Sequence, residues 1–250
     1  MTTKKKKKRR LKKETRLLIR IVLTLLFVIG IIVGYELFFS GGSKGSKIRI
    51  VLDSAHGGDG SGAQGLFSED EYNEQVVTEL EALLSSDSRF EVSRTHAAAQ
   101  PMNAQSRVEV INSASPDAVI SVGCYTGDSP NIKNTAVFAQ PAGVKSHKDS
   151  AALAAAVVTA FSEKGYDASA GYYYFHPERE GLYQEHIVPL EDETDYQEDT
   201  FILLSAKAPV IIVWQANVNS QEDMDKWNNE AGVKEAAKLY YQALKAVYGK

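Results

Sequence analysis

The chain has 250 residues, of which 44% are hydrophobic and 24% are charged, and this composition excludes collagen-like, coiled-coil and wholly disordered proteins. The charge is unevenly distributed. Residues 1–20 carry eleven Lys or Arg and one Glu, whereas residues 40–250 carry 17 Lys or Arg and 30 Asp or Glu. Because most of the chain is acidic, we expect no nucleic-acid partner. The single cysteine, Cys124, excludes an internal disulfide framework and a Cys-rich zinc module.

The amino-terminal segment has the pattern of a membrane anchor. Residues 17–39 are mostly apolar, with Thr24 in the interior and two charges, Arg20 and Glu36, near the two ends of the run. About 20 apolar residues cross a bilayer as a helix, and a basic flank keeps its own side in the cytoplasm. We therefore expect, in chain order, a basic cytoplasmic tail (1–16), one transmembrane helix (17–39), a flexible linker (40–46) and an extracellular domain (47–250).

Two alternatives to this interpretation remain open. The small residues Ser40, Gly41 and Gly42 could mark the cut of a signal peptide, although the apolar run is long for one. The basic run Lys4–Arg10 could contact nucleic acid, but a basic flank of an apolar segment is more often an orientation signal or a contact for anionic lipids.

Beyond residue 47, apolar runs alternate between strand and helix periodicity. This alternation predicts an α/β domain with a mainly parallel sheet covered by helices on both faces. The predicted strands are 48–53, 90–95, 117–124, 134–140, 201–205 and 209–214, and the predicted helices are 69–85, 101–114, 148–163 and the last 28 residues. Such sheets bind ligands beyond the carboxyl ends of their strands, so the loops after Asp53, Gly123 and Val213 are where we expect the site.

Two residues near the first of these loops have zinc-binding side chains. His56 lies in the glycine-rich segment 52–65, and Glu69 stands where the first predicted helix begins. Histidine and carboxylate side chains are common zinc ligands. On their own, the two residues are better explained as a loop histidine and an acid at a helix start than as a metal site.

The order of the motifs along the domain is more specific than any one of them. A strand is followed by LDSAHGG, then by Glu69 with Asn73 four residues later on an amphipathic helix. SRTH (93–96), QSRVEVINSASPDAVISV (105–122) and LLSAKAPVIIVW (203–214) follow. This order resembles the zinc-dependent N-acetylmuramoyl-L-alanine amidases of peptidoglycan, over about 200 residues.

The resemblance implies a zinc site, but two of its residues are replaced. The family holds zinc with histidine, glutamate and histidine and uses a second glutamate as catalytic base. The first two ligands correspond to His56 and Glu69, whereas Gly123 stands at the third ligand position and Trp214 at that of the base. Zinc is therefore expected to bind weakly or not at all.

Other residues on matching positions concern the substrate. The resemblance implies that Arg107 and Ser121 bind it, while His96 stands where the family usually has arginine. The aromatic run 172–177 could stack against sugar rings or pack in the core.

Three functions remain open from the sequence. The first is an amidase-like domain that is anchored in the membrane of a bacterial cell envelope and binds or acts on peptidoglycan. Its zinc-dependent catalysis would be impaired or lost, and it could act alone or with other cell-wall enzymes. The second is an active amidase with a rebuilt zinc site, and the third is a non-enzymatic envelope interaction domain. The second would recruit replacement ligands or bases from Cys124, His176, His186, Glu178, Glu180 and Glu185.

Overall fold

The computed structural model describes residues 47–56, 62–98, 100, 102–127, 132, 134–177, 183–192, 194 and 200–249. The predicted tail, transmembrane helix and linker lie outside these residues and stay predictions. Within the described ranges, none of the helices combines the length and the apolar character that crossing a bilayer requires.

Seven strands form one sheet in the order β2-β1-β3-β7-β4-β5-β6. All neighbours are parallel except β4 with β7 and β5 with β6, so the predicted mainly parallel sheet is confirmed. The strands are β1 (Ile48–Ser54), β2 (Phe90–Arg94), β3 (Ala118–Tyr125), β4 (Thr135–Ala139), β5 (Ala168–Pro177), β6 (Tyr183–Val188) and β7 (Val210–Asn217).

Helices cover both faces of the sheet, as predicted. Three long helices pack over one face around a core that includes Leu80, Phe161 and Tyr240; they are α1 (Glu69–Ser86), α3 (His147–Ser162) and α5 (Glu230–Tyr248). The other face is covered by α2 (Ala104–Ala114) and a 3₁₀-helix (Ile202–Ser205), and α4 (Gln221–Trp227) follows β7. Each long helix buries an apolar stripe, which is why periodicity predicted all three.

One predicted strand is wrong. The predicted strand 201–205 is instead a 3₁₀-helix over Ile202–Ser205, with Leu203 and Leu204 buried and Ile202 53% exposed. The amide of buried Gln140 donates to the carbonyl oxygens of Leu204 and Ala206, at 3.0 and 2.8 Å. These hydrogen bonds give the two backbone carbonyl groups partners outside a sheet. A short apolar run in the sequence does not reveal such long-range contacts.

The sheet also extends further than the sequence predicted. Strands β5 and β6 were not expected, because the aromatic run 172–177 gave no clear alternation. Tyr172 and Tyr173 are 2% and 1% exposed, so these two side chains pack in the core rather than offering a sugar-binding surface.

The register of the central strands brings the predicted site together. Asp53 on β1 pairs with Ser121 on β3, and Gly123 on β3 pairs with Trp214 on β7. These three strands are parallel neighbours, so their carboxyl ends lie at the same edge of the sheet.

Candidate active site

The histidine and the glutamate predicted as metal ligands are brought together. His56 follows β1 in a left-handed backbone conformation (φ 63°), and Glu69 is the first residue of α1. His56 Nε2 lies 3.6 Å from Glu69 Oε2, with the histidine side chain 53% exposed and the glutamate side chain 3% exposed. The pair thus has one fixed, buried member and one member open to solvent.

The buried carboxylate of Glu69 is held by backbone donors. The amide N–H of Cys124 donates to Oε1 at 2.7 Å, and the amide N–H of Ala63 donates to Oε2 at 2.8 Å. The amino end of α1 also favours a negative charge at this position. Glu69 therefore joins the loop before α1 to the end of β3 whether or not a metal is present.

Glycines crowd this pair from two sides. A Cβ at Gly123 would lie 3.3 Å from Glu69 Oε1 and 3.1 Å from the Cβ of Ala55, so a side chain here would start beside the carboxylate. Gly62 has φ +63°, and a Cβ there would lie 2.7 Å from Glu69 Oε2. Position 123 therefore faces Glu69 as a third ligand should, but glycine supplies no donor atom.

Of the replacement residues considered from the sequence, Cys124 and His186 are the two whose side chains the structure describes, and neither completes the site. Cys124 Sγ contacts Asn73 Oδ1 at 3.7 Å within the core, and burial raises the pKa of this thiol, with the charge of Glu69 adding to the effect. The ring of His186 stacks on Tyr174, with centroids 4.9 Å apart. Glu178, Glu180 and the side chains of His176 and Glu185 lie outside what the structure describes.

The described residues do not fit a catalytic zinc ion. Such sites normally use three protein ligands and a water molecule. In the described part of the chain, no three His, Cys, Asp or Glu side chains are grouped so that they could hold a metal ion. His56 and Glu69 supply two of the three ligands, and the third position is Gly123.

Trp214 occupies the position expected for the catalytic base. It lies on β7 beside Gly123, and its half-buried ring stacks with Tyr125 at a centroid distance of 6.1 Å. Phe138 packs perpendicular to the same indole, with ring centroids 5.0 Å apart. An indole N–H donates a hydrogen bond but cannot accept a proton from water. An aromatic cluster therefore stands where a carboxylate would be needed.

A second group of polar residues, next to the first, is fully connected. Asp53 is 0% exposed and accepts three hydrogen bonds. Its donors are Thr95 Oγ1 at 2.6 Å to Oδ1, Ser121 Oγ at 2.6 Å to Oδ2 and Arg107 Nη1 at 2.9 Å to Oδ2. The two residues implied as substrate-binding, Arg107 and Ser121, are thus held by a common carboxylate.

Sequence reasoning missed the central position of Asp53. The only signal was its place at the end of the first strand, which does not reveal its partners on three other segments. His96 connects this group to the first pair, because its ring nitrogens lie 2.8 Å from Thr95 Oγ1 and 3.3 Å from the carbonyl oxygen of His56.

A cleft of about 410 Å³ opens between the two groups. Arg107, Ser121 and His56 contribute polar atoms to its lining, and Trp214, Phe175 and Phe201 contribute aromatic rings. The cleft therefore combines a few convergent polar groups with a large apolar surface, which is typical of a ligand site.

The comparisons with known proteins agree with this geometry. A family model described as N-acetylmuramoyl-L-alanine amidase matches residues 50–246. A search of curated proteins finds no match.

Solved structures show the same fold at low sequence identity. The catalytic domain of CwlV, an N-acetylmuramoyl-L-alanine amidase from Bacillus (Paenibacillus) polymyxa, superposes with a TM-score of 0.60 at 16% identity, covering 79% of this chain and 96% of that one. The amidase AmiC2 of Nostoc punctiforme gives 0.61 at 19% identity, covering 80% and 97%. The CwlD amidase of Clostridioides difficile, solved in complex with the GerS lipoprotein, gives 0.60 at 15% identity, covering 81% and 99%. With the family model matching most of its length, the chain belongs to the N-acetylmuramoyl-L-alanine amidase family.

Proposed function

We propose that the chain is a membrane-anchored envelope domain that binds cell-wall peptidoglycan in its cleft and has lost efficient amide hydrolysis. The observation that carries the proposal is the pair of replacements beside Glu69. Gly123 removes the third metal ligand and Trp214 removes the catalytic base.

The chemical consequence of the two replacements is large. A general base alone contributes about 10²–10⁴ to the rate of such a reaction. Two protein ligands hold a zinc ion poorly, and without the ion its bound water is not acidified and the scissile carbonyl is not polarised. The two losses affect different parts of the reaction, so both must be repaired before hydrolysis returns.

Binding depends on other residues, and these are in place. The Asp53 network orients Arg107 and Ser121 at the cleft, and three aromatic side chains form its apolar side. None of these contacts involves position 123. A ligand could therefore bind in the cleft without being cleaved.

The location follows from the sequence pattern of the first 39 residues. A basic tail followed by an apolar run would place the domain outside the membrane of a bacterium, next to the wall. Other cell-wall enzymes are proposed partners. The structure of the CwlD amidase contains a lipoprotein, so that amidase does bind a protein partner.

The test uses the full chain in detergent with insoluble peptidoglycan. We expect the protein to sediment with the wall material and to release no muropeptides, whereas an active amidase run in parallel releases them. Trp214→Phe would serve as the binding-site variant and Lys234→Ala, on the exposed side of α5, as the matched surface control. Muropeptide release that His56→Ala abolishes would contradict the loss of hydrolysis.

The retained His56–Glu69 pair favours one other candidate. An active amidase with a rebuilt zinc site would need these two residues, and they lie only 3.6 Å apart. Zinc content decides between the two functions, because only the rebuilt site requires a bound ion.

A further inference from the structure

We propose that the cleft recognises the product of amide cleavage: a glycan in which the lactyl group of N-acetylmuramic acid ends in a free carboxylate. Arg107 would bind this carboxylate and Trp214 would contact the sugar ring. The inference rests on the proposed function, since it specifies which form of peptidoglycan the cleft takes.

The guanidinium of Arg107 has hydrogen-bond donors that no described residue uses. Within the part of the chain that the structure describes, it donates one hydrogen bond, from Nη1 to Asp53, and its Nε has no partner. The side chain is 14% exposed and lines the cleft. Since Asp53 is also bound by Thr95 and Ser121, it fixes the guanidinium on one side, and the part of the side chain that stays exposed lies at the cleft, where a ligand can reach it. Such a fork matches the geometry of a carboxylate.

The charge of the cleft points to the same ligand. Its described lining includes no Asp or Glu, although residues 40–250 carry 30 acids against 17 Lys or Arg. The nearby carboxylates are buried and already hydrogen-bonded, because Glu69 accepts two backbone N–H groups and Asp53 accepts three donors. The guanidinium of Arg107 is thus the charged donor that the described lining offers to a ligand, and a charged donor binds an anionic acceptor more strongly than a neutral one.

The aromatic side of the cleft suits a sugar. Trp214 and Phe201 are partly buried, and their rings lie 5.7 Å apart in an edge arrangement; Phe175 is the third aromatic residue of the lining. An aromatic ring has a flat apolar face with a negative quadrupole, which favours contact with C–H groups such as those of a pyranose ring. The replacement of a carboxylate by Trp214 thus removes a base and adds a surface for a sugar.

Intact and amidase-cleaved peptidoglycan differ at the lactyl carbonyl group of N-acetylmuramic acid. In intact peptidoglycan the lactyl carbonyl forms a neutral amide with L-alanine. Hydrolysis adds water across this bond, so the acyl side becomes a carboxylate and the amine of the peptide is released. Only the cleaved glycan carries a charge beside the sugar ring. The domain would therefore bind wall material on which another amidase has already acted.

The experiment measures binding of three defined probes to the full chain in detergent at pH 7. The first is the disaccharide N-acetylglucosaminyl-N-acetylmuramic acid, which has the free carboxylate. The second is the same disaccharide amidated with L-alaninamide, which carries no charge, and the third is di-N-acetylchitobiose, which lacks the lactyl group. We expect the first to bind about tenfold or more tightly than the other two, because a charge-assisted hydrogen bond is lost in each.

Two variants assign the contacts. Arg107→Gln is expected to remove the preference for the first probe, while Arg49→Gln, an exposed arginine outside the cleft, keeps it. Trp214→Phe is expected to weaken all three probes by a similar factor and to abolish any fluorescence change on binding, since the other tryptophan, Trp227, is 3% exposed in the core.

The possible failures are distinguishable. If the amidated probe binds as tightly as the free acid, or if Arg107→Gln keeps the preference, the product-recognition proposal is overturned while wall binding stands. If neither the probes nor insoluble peptidoglycan binds, the proposed function fails as well. The wild-type probe comparison and Trp214→Phe decide the question even if Arg107→Gln does not fold.

Discussion

Two groups of polar residues lie side by side at the carboxyl edge of the sheet, and they differ in completeness. Asp53 joins Thr95, Arg107 and Ser121 with every contact between 2.6 and 2.9 Å. The group around Glu69 keeps His56 but has a glycine and a tryptophan where two more functional side chains are expected. The first group holds the architecture of the cleft, whereas the second keeps one structural carboxylate, Glu69, and lacks two side chains that the chemistry needs. A member of an enzyme family can lose the second without disturbing the first.

The largest effect is expected when the complete group is broken. Asp53→Ala leaves the guanidinium of Arg107 and two hydroxyl groups without their common acceptor. Removing one partner of a buried ion pair typically costs about 3–5 kcal/mol of unfolding free energy. Urea denaturation would measure this loss, with Asp53→Asn as the isosteric variant and Asp225→Ala, on the surface of α4, as a control. A loss under about 1 kcal/mol would mean that the Asp53 network does not hold the cleft together.

Breaking the altered group should cost less. Glu69→Ala leaves the N–H groups of Ala63 and Cys124 without acceptors, which we expect to lower the unfolding free energy by about 2 kcal/mol. Glu69→Gln keeps one oxygen acceptor and should lose about half as much. Because the carboxylate is held by backbone donors, a metal chelator should change neither of these two losses in unfolding free energy. Wild-type stability that falls on chelation, with the stability of Glu69→Ala unaffected, would show that Glu69 binds a metal.

The pH dependence tests whether Cys124 belongs to the core or to a metal site. Burial raises the pKa of this thiol above its ordinary value of about 9.0. The folded protein therefore retains a proton that the unfolded chain loses, so the contribution of Cys124 to stability is complete below pH 9 and is lost as the pH rises further. For one such group, the unfolding free energy falls by about 1.4 kcal/mol per pH unit in this range.

A comparison of two variants isolates this group from the tyrosines. The pKa values of Tyr72 and Tyr240 are also raised by burial, so the wild-type slope above pH 9 contains their contributions. Chemical denaturation of Cys124→Ala between pH 8 and 10 should show a shallower decline than the wild type. An equal decline in both proteins would mean that folding does not raise the pKa of the thiol.

Restoring the third ligand position should have the smallest effect on stability and a qualitative effect on metal binding. In Gly123→His the new Cβ lies 3.1 Å from the Cβ of Ala55, so we expect a loss of about 1 kcal/mol from overpacking. The imidazole would provide the donor that His56 and Glu69 lack, so zinc content should rise towards one ion per chain. Gly123→Ala controls for the packing cost. Zinc binding unchanged by the histidine would show that position 123 does not face the ion.

The sequence predicted the site where local pattern and strand order sufficed. The apolar runs of β1, β3 and β7 and the amphipathic stripe of α1 determined which loops meet, and this brought His56 and Glu69 together. The replacement at Trp214 was also evident from the motif order.

The remaining features depend on contacts between distant residues. The hydrogen bond from the N–H of Cys124 to Glu69 joins positions 55 residues apart, and Asp53 gathers donors from three separate segments. The 3₁₀-helix at Ile202–Ser205 is fixed by Gln140, more than sixty residues earlier. Hydrophobic periodicity carries no information about such polar contacts, so only the structure reveals them.

The most direct test of the central claim is the zinc content of the full chain. Wild type and His56→Ala would be purified in detergent, equilibrated with limited zinc, freed of unbound metal and analysed for zinc per chain. We predict negligible zinc in both proteins, because Gly123 provides no third ligand. Close to one zinc ion per wild-type chain, lost in His56→Ala, would contradict this account and support an active amidase with a rebuilt site.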